Sequence, residues 1–137
     1  MRKYNVTDDY PVYEKHKDDI YSSTGKNISE FTLDAILSGE LKPEDCRISA
    51  EILEKHAEIE ESEGNFQIAE TLRKSAEMTR IPDERIMEIY NTLRPRASTR
   101  EALEQIADEL ENKYDAPKNA AFIRKAIEVY EKRNMFR

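Results

Sequence analysis

One stretch constrains this chain more than any other: Ile81-Pro82-Asp83-Glu84-Arg85-Ile86-Met87-Glu88-Ile89-Tyr90-Asn91-Thr92-Leu93-Arg94-Pro95. Pro82 stands where the first turn of a helix tolerates a missing N–H. Pro95 disfavours helical geometry at Arg94 and ends the run. Asp83 and Glu84 put negative charge at the positive end of the helix dipole. Ile86, Ile89, Tyr90 and Leu93 recur at i, i+3, i+4 and i+7, which is one apolar face. A helix with marked ends and one apolar face must bury that face, so the segments on either side have to supply the partners.

Both sides are helical in pattern. Thr32 is expected to cap a short helix whose apolar face is Leu33, Ile36 and Leu37, with Gly39 as its stop. Lys42-Pro43-Glu44-Asp45-Cys46-Arg47-Ile48 reads as one helical turn or a bend. Ser49 caps a helix over Ala50 to Glu63, with Ile52, Leu53, His56, Ala57 and Glu60 on one side, and Gly64-Asn65 breaks it. A second long helix runs from Phe66 to Arg80. Ser98 and Glu101 fit a capping box, opening a helix to Tyr114 with Leu103, Ile106, Ala107 and Leu110 in phase. Asp115-Ala116-Pro117 starts the last helix, which carries Ala120, Ile123, Ile127 and Tyr130 on one face and Phe122, Ala126 and Val129 beside it. The tail Asn134-Met135-Phe136-Arg137 is expected to fray.

Residues 1–31 lack this period. Tyr4, Tyr10, Tyr13 and Tyr21 are scattered among Asp, Lys and Pro, and Pro11 favours an extended backbone at Tyr10. Tyrosine offers large contact area at low entropy cost, so the stretch is read as an extended arm that lies on a partner. The expected organisation is an N-terminal arm over 1–31 and a helical domain over 32–137. No segment alternates with period two for long enough to form a strand. The fold class is therefore all-α, an open antiparallel bundle of about four to five amphipathic helices with an extended N-terminal arm.

Composition narrows the function classes. Among 137 residues, 38% are hydrophobic and 37% charged, which suits thin helices with wide solvated faces or a subunit whose remaining apolar surface a partner covers. The net charge of −7 argues against nucleic acid, whose binding draws on phosphate neutralisation, and against an anionic membrane surface. Cys46 is the single cysteine, which excludes an internal disulfide and a cysteine metal cluster. The start has no apolar signal core, and no run approaches the about 20 apolar residues of a membrane span. The expectation is a soluble, cytoplasmic protein.

Little chemistry is visible. Three glycines supply no phosphate-cradling loop. His16 and His56 lie far apart. Glu60 stands at i+4 from His56, a pairing better explained as an ordinary polar helix boundary than as a metal site. Cys46 beside Arg47 has no paired histidine, and a half-buried apolar contact is the expected role. Acidic doublets such as Asp8-Asp9 and Asp18-Asp19 need a shaped, partly dry site for acid–base work. The residues alone read as an acidic, all-helical interaction protein, with no catalytic, cofactor-binding or metal-ligating residue to name.

The central helix resembles the signature of the small (gamma) subunit of adenosylcobalamin-dependent diol and glycerol dehydratases. The likeness continues on both sides, through Asp9-Tyr10-Pro11, Thr24-Gly25-Lys26, Leu37-Ser38-Gly39-Glu40, Arg47-Ile48, Ala76-Glu77, Ile106-Ala107-Asp108-Glu109-Leu110-Glu111 and Asn119-Ala120-Ala121-Phe122. It covers nearly all of the chain from Tyr10 onward.

The resemblance implies a heteromeric lyase of large, medium and small subunits, two of each. It implies that the large subunit holds substrate and a metal ion and that cobalamin lies between the large and medium subunits. An adenosyl radical there converts a 1,2-diol to an aldehyde. It also implies that the small subunit contributes no catalytic or cofactor residue and packs on the large one. The short polar segment before Asp9-Tyr10-Pro11 looks more like the glycerol dehydratases and weakens the case for enclosure in a microcompartment. On this reading the contacts with the large subunit are expected at Tyr10 and Pro11, at Asp45, Arg47 and Ile48, and at Tyr90, Leu93, Arg94 and Pro95. A free-standing helical adaptor is the alternative.

Overall fold

Side-chain caps mark several helix starts in the computed structural model, which describes residues 2–137. The Asn5 side chain accepts from the Asp8 amide at the head of α1 (Val6–Asp9). Pro11 precedes α2 (Val12–Lys15), and Thr32 caps α3 (Leu33–Leu37) through the Ala35 amide. Ser49 caps α4 (Ala50–Ser62) through the Ile52 amide. Three further helices are α5 (Phe66–Met78), α6 (Asp83–Thr92) and α7 (Arg100–Asn112). The last, α8, spans Pro117–Lys132 with proline in its first turn. No named strand occurs among the described residues, so the all-α reading holds.

The helix ends are as locally determined as the starts. After α4, Gly64 takes a φ of 82°. The Asn65 amide then reaches back to the Glu60 carbonyl at 2.9 Å and the Gly64 amide to Glu61 at 3.0 Å. That is the two-bond terminus a left-handed residue makes possible.

Two compact units make up the chain, Met1–Ala76 and Glu77–Arg137. In the second, α7 packs on α8 across the short connection at 113–116. Its core is formed by Ile81, Ile89, Leu103, Ile106, Ala107, Leu110, Ala116, Ala120, Ile123 and Ile127, with Ile86, Leu93, Tyr114, Tyr130 and Phe136 packed around it. Three of the four apolar positions of the proline-bracketed helix thus belong to this core or its margin, and Tyr90 is exposed. The buried carboxylate of Glu77 accepts from the amides of Lys118 and Asn119 at 3.0 and 2.9 Å and from Asn119 Nδ2 at 2.8 Å. It thereby caps α8 from a residue far away in sequence.

In the first unit, Val12, Leu41, Ile52, Leu53, Ala57, Ile59 and Ala69 are among the buried apolar residues. The expected arm lies within this unit and carries more order than its lack of period suggests. Beside α1 and α2 it holds single 3₁₀ turns at Lys17–Asp19 and Ile28–Glu30. Its anchor is Asp9, whose side chain is fully buried. Both carboxylate oxygens accept from the Arg2 guanidinium at 2.8 Å, and the Asn5 amide and His16 Nε2 donate to them at the same distance. Tyr4 stacks on His16 with Lys55 over its ring, and the Tyr4 and Val6 amides donate to Glu58 and Ser62 of α4. Isolated short helices are unstable in water; these persist because a buried charge network and α4 hold them.

Three local expectations fail for tertiary reasons. Thr99, not Ser98, caps α7 by accepting from the Ala102 amide. Ser98 is buried and donates to the Thr92 carbonyl at 2.8 Å, closing the turn after α6. The tail 134–137 is not frayed. Asn134 takes a left-handed φ of 52°, the Met135 amide returns to the Tyr130 carbonyl, and Met135 O and Arg137 N pair with Arg96 N and Ser98 O. Phe136 packs edge-on against Tyr130, whose hydroxyl donates to the Leu93 carbonyl. Cys46 is exposed rather than half-buried, because the 3₁₀ turn over Pro43–Cys46 directs Asp45 inward instead.

The ion pairs of the first unit set its acid response. Hydrogen bonds from the Arg2 guanidinium hold Asp9 far below the ordinary carboxylate range, and the Arg73 guanidinium lowers Glu61 to about 2. Both carboxylates are more acidic folded than unfolded. Their contribution is complete above the ordinary carboxylate range and is lost as pH falls through the folded values. Urea unfolding at about pH 5 and about pH 2.5 is expected to show a lower midpoint in acid. The acid-induced drop should be smaller in Asp9→Asn, and an equal drop would contradict this role for Asp9.

Candidate subunit interface

The expected contact residues fall into three sites on the two units. Tyr10 and Tyr13 are about half exposed on the segment that Asp9 and buried Val12 hold down. Pro11 is exposed between them. Two aromatic rings on an anchored backbone have little conformational entropy left to lose if a partner covers them.

The bend at 42–48 divides the roles of its residues. Asp45 is only 7% exposed. Its carboxylate accepts from the Lys42 amide at 2.9 Å and the Thr24 hydroxyl at 2.7 Å, with Lys26 Nζ at 3.4 Å. The Lys42 bond first, then Thr24, lower its pKa. Asp45 is therefore an internal brace between the turn at 22–27 and the bend, in place of the surface position its sequence context suggested. Arg47 and Ile48 are exposed beyond it, and the Ser23 amide donates to the Arg47 carbonyl. Tyr21, Ile28, Phe31 and Ile48 line a shallow pocket of 220 Å³ there, which Tyr10 and Pro11 do not join.

The third site lies on the second unit. Tyr90, Leu93, Arg94 and Pro95 at the end of α6 line a groove of 640 Å³ with Phe122, Lys125, Ala126, Val129 and Tyr130 of α8. Here the structure brings all four expected residues together. The Arg94 guanidinium stands 5.8 Å from the centre of the Tyr90 ring, a cation–π distance. The α8 wall is formed by Phe122, Ala126 and Val129, the second apolar stripe of that helix, at i, i+4 and i+7. That period was the available signal for it.

Further exposed apolar residues lie outside the expected contact sites. Leu33, Ile36 and Leu37 of α3 are 57% to 75% exposed, and Phe66 and Ile68 of α5 also stand out in solvent. The period of α3 identified its apolar face but could not say that the described residues leave it uncovered.

His16 Nε2 is already bonded to buried Asp9, and no three His, Cys, Asp or Glu side chains among the described residues converge to hold a metal ion. No helix among the described residues is long and apolar enough to cross a membrane.

The family model described as dehydratase small subunit matches residues 6–137. The propanediol dehydratase small subunit of Citrobacter freundii is 43% identical over 125 residues, covering 91% of this chain and 73% of that one. Its counterpart from Salmonella typhimurium is 43% identical over 125 residues, covering 91% and 72%.

Proposed function

The chain belongs to the dehydratase small-subunit family, and from that premise we propose that it is the non-catalytic small subunit of a coenzyme B12-dependent glycerol or propane-1,2-diol dehydratase. It packs on the large catalytic subunit and stabilises it, in a cytoplasmic complex of large, medium and small subunits, two of each. The coenzyme and the diol belong to the other subunits, and the isolated chain is inactive. The observation that carries this reading is the 43% identity with two propanediol dehydratase small subunits across 91% of the chain. The exposed aromatic and apolar residues support it, since apolar side chains left in solvent gain from burial against a partner.

Contacts with the large subunit are proposed at Tyr10 and Pro11, at Arg47 and Ile48 on the bend that Asp45 braces, and at Tyr90, Leu93, Arg94 and Pro95. Co-expression with large and medium subunits, followed by size exclusion and an aldehyde assay with added adenosylcobalamin, tests the function. A complex that dehydrates propane-1,2-diol or glycerol is expected, with the chain alone silent. Tyr10→Ala is expected to weaken co-elution. A wild-type chain that stays apart from the other two subunits and leaves their activity unchanged would point instead to a free-standing adaptor.

A further inference from the structure

The groove between α6 and α8 combines apolar walls with two cationic side chains. Its apolar walls are Tyr90, Leu93, Phe122, Ala126 and Val129. A smaller pocket of 180 Å³ adjoins it, sharing Tyr90, Leu93 and Phe122 and reaching the core residues Ile89 and Ile123 and Ile86 at the core's margin. Tyr90 and Phe122 are both more than half exposed where the two spaces meet. A small apolar recess beside a wider trough suits one anchoring side chain with its flanking backbone.

The charged residues of that groove are Arg94 and Lys125, and no carboxylate lines it. This occurs in a chain with 29 acidic and 22 basic residues. Elsewhere in the same unit Arg80, Arg85, Arg100 and Arg124 each pair with aspartate or glutamate. Arg94 has the Tyr90 ring, and neither it nor Lys125 has an anionic partner among the described residues. Two cations beside an exposed apolar recess leave charge complementarity for an incoming surface to satisfy.

The geometry points to this groove as the seat of a segment of the large dehydratase subunit that presents an apolar anchor flanked by aspartate or glutamate. The anchor enters the recess between Tyr90 and Phe122, and the carboxylates meet Arg94 and Lys125. A second copy of this chain is a poor occupant, because a two-fold contact centred here sets the same two cations against themselves. The inference rests on the proposed subunit function and adds the partner's chemistry at one site.

The test is made in the assembled complex. Arg94→Glu combined with Lys125→Glu changes two exposed residues outside the core, and circular dichroism checks that the variant keeps its helical melt. Association with the large and medium subunits is expected to weaken about 10- to 100-fold. A control with the same charge change, Lys132→Glu with Arg133→Glu, should stay within about threefold of wild type, and added salt should weaken the wild type more than the reversed variant. Independently, benzoylphenylalanine in place of Phe122 is expected to cross-link to the large subunit beside an acidic residue. Undiminished association of the folded reversed variant overturns the inference, as does a cross-link to a second copy, to the medium subunit or to a segment without a carboxylate. A wild-type chain that joins no complex fails earlier and overturns the subunit reading as well, so the two failures are told apart.

Discussion

Leu103→Ala will lower the free energy of unfolding by about 3 to 5 kcal/mol, the range of fully enclosed leucines whose removal leaves a cavity. Leu103 has no exposed surface. It lies in the core of the second unit with Ile106, Ala107 and Leu110 of its own helix and with Ala120, Ile123 and Ile127 of α8. The facing residues include alanines, which cannot extend to fill the space, so the cavity persists and its cost adds to the lost transfer energy. Against a total of about 5 to 15 kcal/mol for a domain, this is a large share. Urea unfolding followed by circular dichroism checks it. Leu103→Met preserves volume and is expected to cost less than about 1.5 kcal/mol. Equal losses for the two variants would show that the site is not packed as described.

Glu77→Ala should produce the second-largest loss, about 2 to 4 kcal/mol. A charge-assisted hydrogen bond contributes about 1.5 to 3 kcal/mol, and a lost helix cap costs about 0.5 to 2 kcal/mol, the two overlapping here. The carboxylate is buried and accepts from two amides at the start of α8 and from the Asn119 side chain. Alanine removes the acceptor and its negative charge from the positive end of the helix dipole. Glu77→Gln keeps an acceptor oxygen and loses the charge, so an intermediate loss is expected. Thermal melts of the three proteins order them wild type, Gln, Ala. Because α8 supplies Phe122, Ala126 and Val129 to the groove, the alanine variant should also associate more weakly with the large subunit as temperature rises. An alanine variant as stable as wild type would show that the cap carries no weight.

These two residues differ in how far they were legible. Leu103 was expected in the core because it repeats in phase with Ile106, Ala107 and Leu110, and helical period is a property of neighbours. Glu77 entered only as part of the Ala76-Glu77 motif, since nothing within a turn or two of it announces that Lys118 and Asn119 will arrive at its carboxylate. Ser98 and Thr99 show the same limit at close range. Either hydroxyl could cap α7, and the Thr92 carbonyl settled the matter by engaging Ser98.

The candidate site divides in the same way. Tyr90, Leu93, Arg94 and Pro95 were expected together and do share one groove. Asp45 was expected among the contacts with the large subunit and is turned inward, because Thr24 and the Lys42 amide supply donors for a buried carboxylate. Phe122, Ala126 and Val129 formed a visible second stripe on α8, but a stripe does not say whether it meets the core or solvent.

By itself the sequence determined the helical class, most helix starts and stops, most residues of the second core and the family. Those depend on period, caps, prolines and motifs, all of which act within a few residues along the chain. Only the tertiary structure decided which apolar faces stay uncovered, that Asp9 and Glu77 are buried anchors, that the last residues are tied to the loop after α6, and that Arg94 and Lys125 line an apolar groove without a carboxylate. Burial and pairing depend on groups brought together from tens of residues apart, and the free energy that selects among equally apolar faces belongs to those contacts rather than to the local pattern.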